Sequence, residues 1–195
     1  HLPRPLPKTT WIYLCELGEG YVKLYQSLAA LPTSRRPRIA CNPGTVQLKE
    51  RAHAFLHLLK ITNILFINVE EARMLTHEHA AESHQLLLSL HKLGPQTIVM
   101  TDGERGAFAF DGTSLVRCPI FPAKRVEMTG AGDAFATGVM GAMMEGITLP
   151  DALRWGAVNS ASVIGFVGPQ HGLLTKKEII ARLRSRPSFQ PQTLA

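Results

Sequence analysis

Short apolar runs alternate with longer amphipathic segments along most of the chain. Four runs have the length and the apolar, partly β-branched composition of buried strands, namely Trp11–Cys15, Arg38–Asn42, Asn63–Ile67 and Gln96–Thr101. Apolar positions at helical spacing follow the first three runs, over residues 20–31, 47–60, 70–75 and 80–92. Strands that alternate with amphipathic helices predict a mostly parallel sheet with helices on both faces.

The second half of the chain begins with a predicted hairpin and continues with helices. Two short strands, Ala107–Phe110 and Ser114–Cys118, are joined by the turn pair Asp111-Gly112. A helix is predicted from about Asp133 to Glu145. Two N-terminal signals mark the helices that follow, with Thr148 as one N-cap and Thr175-x-x-Glu178 as a capping box.

The composition excludes a disordered chain and argues against a nucleic-acid partner. Hydrophobic residues make up 45% of the 195 residues and charged residues 18%, which is typical of globular proteins. The formal net charge is 21 − 15 = +6. The basic residues form one dense group, at Arg35, Arg36 and Arg38, and no stripe with interleaved aromatic residues. We therefore expect a solvated basic face and no nucleic acid bound.

The cysteines and the apolar segments indicate a reducing compartment and no membrane anchor. Cys15, Cys41 and Cys118 are odd in number, far apart and outside any CxxC pair, so we expect buried free thiols. No stretch approaches the roughly 18 apolar residues of a membrane span, and no signal segment opens the chain. A cytoplasmic protein is the expectation, and a first residue other than methionine leaves room for a longer natural chain.

The segment from Thr129 to Asp133 has the most specific chemistry in the sequence. Its two glycines allow a tight turn, and the helix that follows directs unpaired N–H groups and a positive dipole end towards a ligand. Such a site favours phosphate, yet Asp133 places a carboxylate there. The pair is explained if Asp133 removes a proton from a hydroxyl while backbone amides hold phosphoryl oxygens. A Gly-x-Gly-Asp helix start is, however, equally an ordinary capping device.

Residues 126–146 resemble the second signature of the ribokinase-like (PfkB) carbohydrate kinase family, DTxGAGD followed by a helix rich in alanine and glycine. Asn68-x-x-Glu71 is similar to the family's NxxE motif, and Thr101-x-Gly103-x-x-Gly106 to its TxGxxG stretch. The resemblance covers roughly residues 38–185. It implies a three-layer α/β/α fold with a mostly parallel sheet. It also implies that the family's N-terminal strands and small β-sheet lid are missing, because nothing in residues 1–40 resembles them.

The resemblance also implies roles for individual residues. Asp133 is the implied catalytic base, with the amides of Gly130, Ala131 and Gly132 as an anion hole. Asn68 and Glu71 would orient Mg²⁺, with Glu71 acting through water. Two further sets would bind ATP: Thr101, Gly103 and Gly106 at the phosphates, and Ala157, Asn159 and Ser162 at the adenine. The absence of a GxxxxGK[ST] sequence excludes a P-loop kinase.

The function implied is ATP-dependent transfer of a phosphoryl group to a hydroxyl of a sugar or sugar-like small molecule. Two alternatives stay open, a nucleoside kinase of the same family and a non-catalytic kinase-like scaffold. Glu127-Met128 stands where the family has Asp-Thr, and that Asp helps to bind a monovalent cation in some members, so potassium dependence is left open. A homodimer is a further expectation, because missing first strands would leave an open sheet edge.

In domain terms we expect residues 1–10 to be an extended arm, 11–187 a single truncated ribokinase-like domain and 188–195 a tail. Three features carry no functional prediction. Gly138 and Gly141, three residues apart inside the helix after the glycine turn, indicate close helix packing. His53 and His57 are four residues apart on a helix but have no third metal ligand nearby in sequence. Trp11 and Trp155 are expected in the core.

Overall fold

The computed structural model describes residues 9–194, and a seven-stranded sheet runs through them with its strands in chain order. The first three strands pair in parallel, with Trp11 opposite Arg38 and Ala40 opposite Ile64. The last two strands pair antiparallel, with Val116 opposite Thr193. The predicted α/β architecture is therefore confirmed. Most of the predicted arm at 1–10 lies outside the described residues.

The chain divides into two compact units, and the first extends through Met100 and includes Phe110–Thr113. Its helices and strands are β1 (Trp11–Leu14), α1 (Tyr21–Ala29), β2 (Arg38–Cys41), α2 (Thr45–Glu50), α3 (His53–Leu59), β3 (Ile64–Asn68), α4 (Val69–Thr76), α5 (Ser83–Lys92) and most of β4 (Thr97–Thr101). Ile39, Cys41 and Leu65 on β2 and β3 are fully buried. Strands covered on both faces bury nearly every side chain, which explains their continuous apolar runs.

The helix predicted over 47–60 is wrong as a single element, because α2 and α3 are separate helices. Arg51 adopts the left-handed conformation at φ 45°, which ends α2, and Ala52 is extended before α3 begins. Both helices still bury their apolar residues, as Leu48 and Phe55 show. Since the hydrophobic spacing is the same with or without the break, periodicity alone does not locate it.

The second unit comprises Thr101–Ala109 and the chain from Ser114 onward. Its elements are most of β5 (Ala107–Phe110), β6 (Leu115–Cys118), α6 (Ala131–Met144), α7 (Leu149–Val163), α8 (Lys176–Arg184) and β7 (Gln192–Leu194). Thr175 and Glu178 form the predicted capping box of α8. The last strand, β7, lies within the segment that the sequence assigned to a C-terminal tail.

Two glycines allow α6 and α7 to pack closely. A Cβ atom on Gly138 would lie 2.9 Å from Cα of Gly156, and one on Gly156 would lie 2.7 Å from a methyl group of Val139. Gly141, one turn further along α6, is exposed and has open space around it. The predicted role in helix packing is thus confirmed for Gly138 and wrong for Gly141.

Two predictions of burial are wrong. Trp11 is only half-buried, because it lies on the first strand of the sheet and stacks against the guanidinium of Arg38 at 5.5 Å. Cys15 is exposed, since β1 ends at Leu14 and Cys15 already belongs to the loop that follows. Cys41, Cys118 and Trp155 are buried as predicted.

Candidate active site

The turn from Met128 to Ala131 places the N-terminus of α6. Gly130 is the N-cap and has the left-handed φ of 80° that glycine adopts without strain. The Ala131 amide donates to the Met128 carbonyl over 3.1 Å, which closes the turn. Among the described residues, the amides of Gly130 and Gly132 donate no backbone hydrogen bond. These two N–H groups are therefore available to an anion, whereas a ligand would compete with Met128 for Ala131.

Gly130 is also in close contact with the loop that follows α7. A Cβ atom on Gly130 would lie 2.7 Å from both Cα and the carbonyl oxygen of Pro169. Gly132, two residues on, has nothing within 4 Å of the equivalent position. The turn is consequently packed on the Gly130 side and open on the Gly132 side, where a ligand has room.

Asp133 lies in the first turn of α6 and is exposed. The helix has no side-chain cap hydrogen bond at its N-terminus, so the Asp133 carboxylate does not act as the cap. A carboxylate in a first helical turn is stabilised by the helix dipole. The capping explanation of the sequence pattern is thus not the one this geometry favours. An exposed carboxylate beside free amides is suited to accept a proton next to a bound anion.

Glu127 connects the turn to the loop after α7, and no sequence motif indicated that role. Its Oε2 accepts the Gly168 amide over 2.8 Å, across 41 residues of chain. Hydrogen bonds from the Thr129 side chain and from the Gly168 amide lower the pKa of Glu127 below its ordinary value. The backbone amides of Val126 and Glu127 both donate to the Ile164 carbonyl, over 2.7 and 3.2 Å.

The TxGxxG segment forms a tight turn after β4. The Asp102 amide donates to the Gly106 carbonyl over 2.8 Å, and the buried Asp102 carboxylate is paired with Arg105 at 2.9 Å. Gly106 has φ 91°, and a Cβ atom there would collide with the Cys118 carbonyl. Close packing therefore explains the glycine at position 106. Gly103, at φ 51°, has open space beside it.

The three residues predicted at the adenine all lie buried on α7. Asn159 uses both ends of its amide within the protein, because Nδ2 donates to the Ala134 carbonyl over 2.8 Å and Oδ1 accepts the Leu174 amide over 3.0 Å. Ala157 and Ser162 are 8% and 4% exposed. The Ser162 hydroxyl has no hydrogen-bond partner among the described residues. Asn159 thus supports the first turn of α6, and the nucleotide contacts remain predictions.

In the first unit, Asn68 and Glu71 form the capping box of α4. The Asn68 Oδ1 accepts the Glu71 amide, and the Glu71 Oε2 accepts the Asn68 amide, both over 2.9 Å. Burial raises the pKa of Glu71 above its ordinary value, the bonds to Asn68 oppose that shift, and the charges of Glu70 and Glu16 add to it. The NxxE pattern is therefore a helix cap that also presents a half-buried carboxylate.

Glu16 is a residue of this site that the sequence pattern did not reveal. Its side chain lies against Gly44, where a Cβ atom would collide with it, and its charge acts on Glu71. Glu16 lies two residues after β1 and Gly44 three residues after β2, so both belong to loops at the carboxyl ends of parallel strands. That location, after a strand, was the available signal.

Residues 9–194 contain no group of three or more His, Cys, Asp or Glu side chains arranged to hold a metal ion. His53 and His57 are exposed, with their rings 6.1 Å apart. Within the same residues no helix is both long enough and apolar enough to cross a membrane.

The structure distributes the predicted residues over the two units. The first unit contains Asn68 and Glu71. The second contains the glycine turn with Asp133, the Thr101 segment and the α7 residues, and within it Asn159 bonds directly to the first turn of α6.

Comparison with known proteins gives this arrangement a context. A cytidine kinase of Thermococcus kodakarensis is 31% identical over 117 residues, which is 59% of this chain and 41% of that protein. A nucleoside kinase of Burkholderia thailandensis, solved with inosine, superposes with a TM-score of 0.77 at 22% identity, over 94% of this chain and 59% of that one. A protein described as a ribokinase II of E. coli, solved with ATP and Mg²⁺, has a TM-score of 0.77 at 17% identity, over 90% and 59%.

These similarities show the ribokinase-like fold, and the chain spans only part of the length of the proteins it resembles. The match to a family is more extensive. Residues 23–176 match the pfkB family carbohydrate kinases, which is well over half of the chain. The chain therefore belongs to the pfkB family of carbohydrate kinases.

Proposed function

We propose that the protein transfers the γ-phosphoryl group of ATP to a hydroxyl of a sugar or a nucleoside. The observation that carries this proposal is the start of α6, where an exposed carboxylate stands beside two amides without backbone partners. Capping does not account for Asp133, and phosphate binding alone would disfavour its charge. A base that removes a proton next to a bound phosphoryl group accounts for both the Asp133 carboxylate and the unpaired amides.

In this mechanism Asp133 removes the proton from the acceptor hydroxyl as its oxygen attacks the γ-phosphorus and the bond to the β-phosphate oxygen breaks. The Gly130 and Gly132 amides donate to the phosphoryl oxygens, over which negative charge is spread in the transition state. Ala131 joins them if its bond to Met128 opens. The protein contributes positioning and fixed dipoles, which are the main requirements of phosphoryl transfer.

Glu71 fits a role in holding Mg²⁺ through water. Magnesium in phosphoryl-transfer sites retains several waters and is held by one or two carboxylates together with the substrate phosphates. A site of that kind needs no cluster of three protein ligands, in agreement with the absence of one in the described residues. The charges of Glu16 and Glu70 that raise the Glu71 pKa would add to the attraction for a divalent cation. Bound Mg²⁺ would neutralise phosphate charge.

The relatives support a sugar or nucleoside acceptor, because they include a cytidine kinase and a nucleoside kinase solved with inosine. The test is an assay of ADP release with a panel of pentoses, hexoses, polyols and nucleosides. One subset of acceptors is expected to support ADP release above the rate without acceptor. No transfer to any acceptor, with no MgATP binding by calorimetry, would instead support the kinase-like scaffold. Cytoplasmic location and a homodimer remain predictions.

Replacing Glu71 with glutamine is expected to keep the helix cap of α4 and to remove the negative charge. The capping boxes of α2 and α5 already use amide oxygens, since Gln47 accepts the Gly44 amide and Gln85 the Glu82 amide, both over 3.0 Å. The cap should therefore survive, while activity at limiting Mg²⁺ falls about 10- to 100-fold. Glu178→Gln, an exposed capping carboxylate of α8, is the matched control and should leave activity unchanged. Equal activity of Glu71→Gln and the wild type would refute the magnesium role.

The same variant should remove a pH dependence of stability. Because the folded-state pKa of Glu71 is raised above 4.5, the native protein binds this proton more readily than the unfolded chain. The contribution of Glu71 to the free energy of unfolding therefore decreases as the pH rises above 4.5 through the folded pKa. Urea denaturation of the wild type and of Glu71→Gln from pH 4 to 7 should show this decrease only in the wild type. Parallel profiles would contradict the burial of the charge.

A further inference from the structure

We propose that Glu127 is a positioning residue that holds the 164–172 loop against the glycine turn and thereby sets the orientation of the amides at the start of α6. The inference deepens the proposed function and rests on it for its catalytic consequence. Glu127 stands just before the turn, three residues from Gly130 and six from Asp133.

Three kinds of contact connect the two segments. The Glu127 carboxylate accepts the Gly168 amide over 2.8 Å. The Ile164 carbonyl accepts two amides, from Val126 and from Glu127 itself. The third contact is steric, because Pro169 lies against Gly130 so closely that no side chain fits between them. Gly168, whose amide donates to Glu127, directly precedes Pro169. The carboxylate therefore restrains the position of the residue that packs against the turn.

The loop has little apolar burial to hold it in this position. Phe166 and Val167 are 51% and 70% exposed, so hydrophobic stabilisation contributes little. Its own hydrogen bonds are local, such as those from the Phe166 amide to the Val163 carbonyl and between the His171 ring and the Val167 carbonyl. Gly168 has φ 95°, a conformation that presents its amide to Glu127 and that other residues rarely adopt. A long-range polar bond is therefore the main directional restraint at this point.

The turn depends on the same carboxylate from its other side. The Thr129 side chain, one residue before Gly130, interacts with the Glu127 carboxylate and lowers its pKa. One side chain thus joins both the residue that precedes the N-cap and the residue that precedes Pro169. Loss of the carboxylate should loosen the turn and the loop together, and with them the two amides proposed to bind phosphoryl oxygens.

The direct test is NMR of the chain as it stands, with Glu127→Ala and Glu127→Gln compared with the wild type. In Glu127→Ala the Gly168 amide should exchange with solvent at least about tenfold faster, and the cross-peaks of Gly130, Gly132 and Asp133 should shift. Glu127→Gln keeps an oxygen that can accept the Gly168 amide, so its changes should be smaller in the same direction. Unchanged cross-peaks at Gly132 and Asp133 in Glu127→Ala would overturn the proposal.

The chain provides a matched control at Glu178. That carboxylate also accepts a backbone amide and a threonine hydroxyl, both from Thr175 at 2.7 Å, but within a single helix cap. Glu178→Ala should change cross-peaks around Thr175 and leave those of Gly130–Asp133 in place. If both alanine variants shifted the α6 start equally, a general loosening of the unit would explain the result and the positioning role would be rejected.

Steady-state kinetics supply the catalytic readout. Glu127→Ala is expected to lower kcat/KM for ATP by about 10- to 100-fold, through both a lower kcat and a higher KM, because misplaced amides bind the transferring group poorly. The KM for the acceptor should be unchanged. Glu127→Gln should recover part of the loss. If the wild type transfers phosphate to no acceptor, the proposed function fails, but the NMR comparison still decides whether Glu127 positions the turn.

Discussion

Asp133→Asn is expected to lower the rate of phosphoryl transfer about a thousandfold, within the range found for the loss of a general base. Asparagine has nearly the same shape but does not accept a proton at neutral pH. Since α6 uses no side-chain cap at its N-terminus, the substitution removes no cap hydrogen bond and should leave the fold intact. Binding of MgATP, measured by calorimetry, should be retained or slightly tightened because a negative charge near the phosphates is removed.

Asp151→Asn is the control for the loss of a carboxylate from a first helical turn. Asp151 lies in the first turn of α7 and is paired with Arg154 at 2.7 Å. Its replacement removes a helix-dipole interaction and an ion pair but no proposed catalytic group, so turnover should be unaffected. Retention of wild-type turnover by Asp133→Asn would exclude the base assignment. Similar losses in both variants would point to helix stability instead.

Gly138→Ala is expected to destabilise the protein by about 1–3 kcal/mol, through the overpacking of a tight interface. The added methyl group would lie 2.9 Å from two backbone atoms of α7, the Cα of Gly156 and the carbonyl oxygen of Trp155, and backbone does not move aside as a flexible side chain can. In a protein of this size the midpoint of thermal unfolding falls by about 2–4 °C per kcal/mol.

Gly141→Ala provides the comparison, because it makes the same chemical change in the same helix. Gly141 is exposed and has nothing near its Cβ position, so alanine there should stabilise the helix by about 0.5–1 kcal/mol. Thermal unfolding of both variants, followed by circular dichroism, should therefore give shifts of opposite sign. Shifts of the same sign would contradict the close approach of α6 and α7.

Many strands and helices of both units could be predicted because they are encoded locally. The β2 and β3 runs are apolar at nearly every position, as strands covered on both faces require. The capping box of α8 was visible as Thr175-x-x-Glu178. The break between α2 and α3 could not be predicted, because the residue in the left-handed conformation is Arg51 and not a glycine, which is the usual residue there. The exposure of Cys15 depended on a strand end, which hydrophobicity places only to within a residue or two.

The site itself was only partly accessible to such reasoning. The glycine turn and Asp133 are contiguous, so their spacing could be related to a helix start. The bond between Glu127 and Gly168 joins residues 41 positions apart, and neither belongs to a periodic pattern. The influence of Glu16 on Glu71 likewise arises from the parallel pairing of strands. Long-range polar contacts of this kind depend on the three-dimensional arrangement of the chain, and residue spacing along the sequence does not predict them.

The paired glycines between α6 and α7 have a mechanical consequence. With backbone against backbone at Gly138 and Gly156, and with Asn159 bonded to the Ala134 carbonyl, the two helices have little freedom to slide or rotate against each other. Any motion of the proposed catalytic carboxylate, Asp133, should therefore move α6 and α7 together as one rigid body. Adjustment to different acceptors would then have to come from other parts of the enzyme.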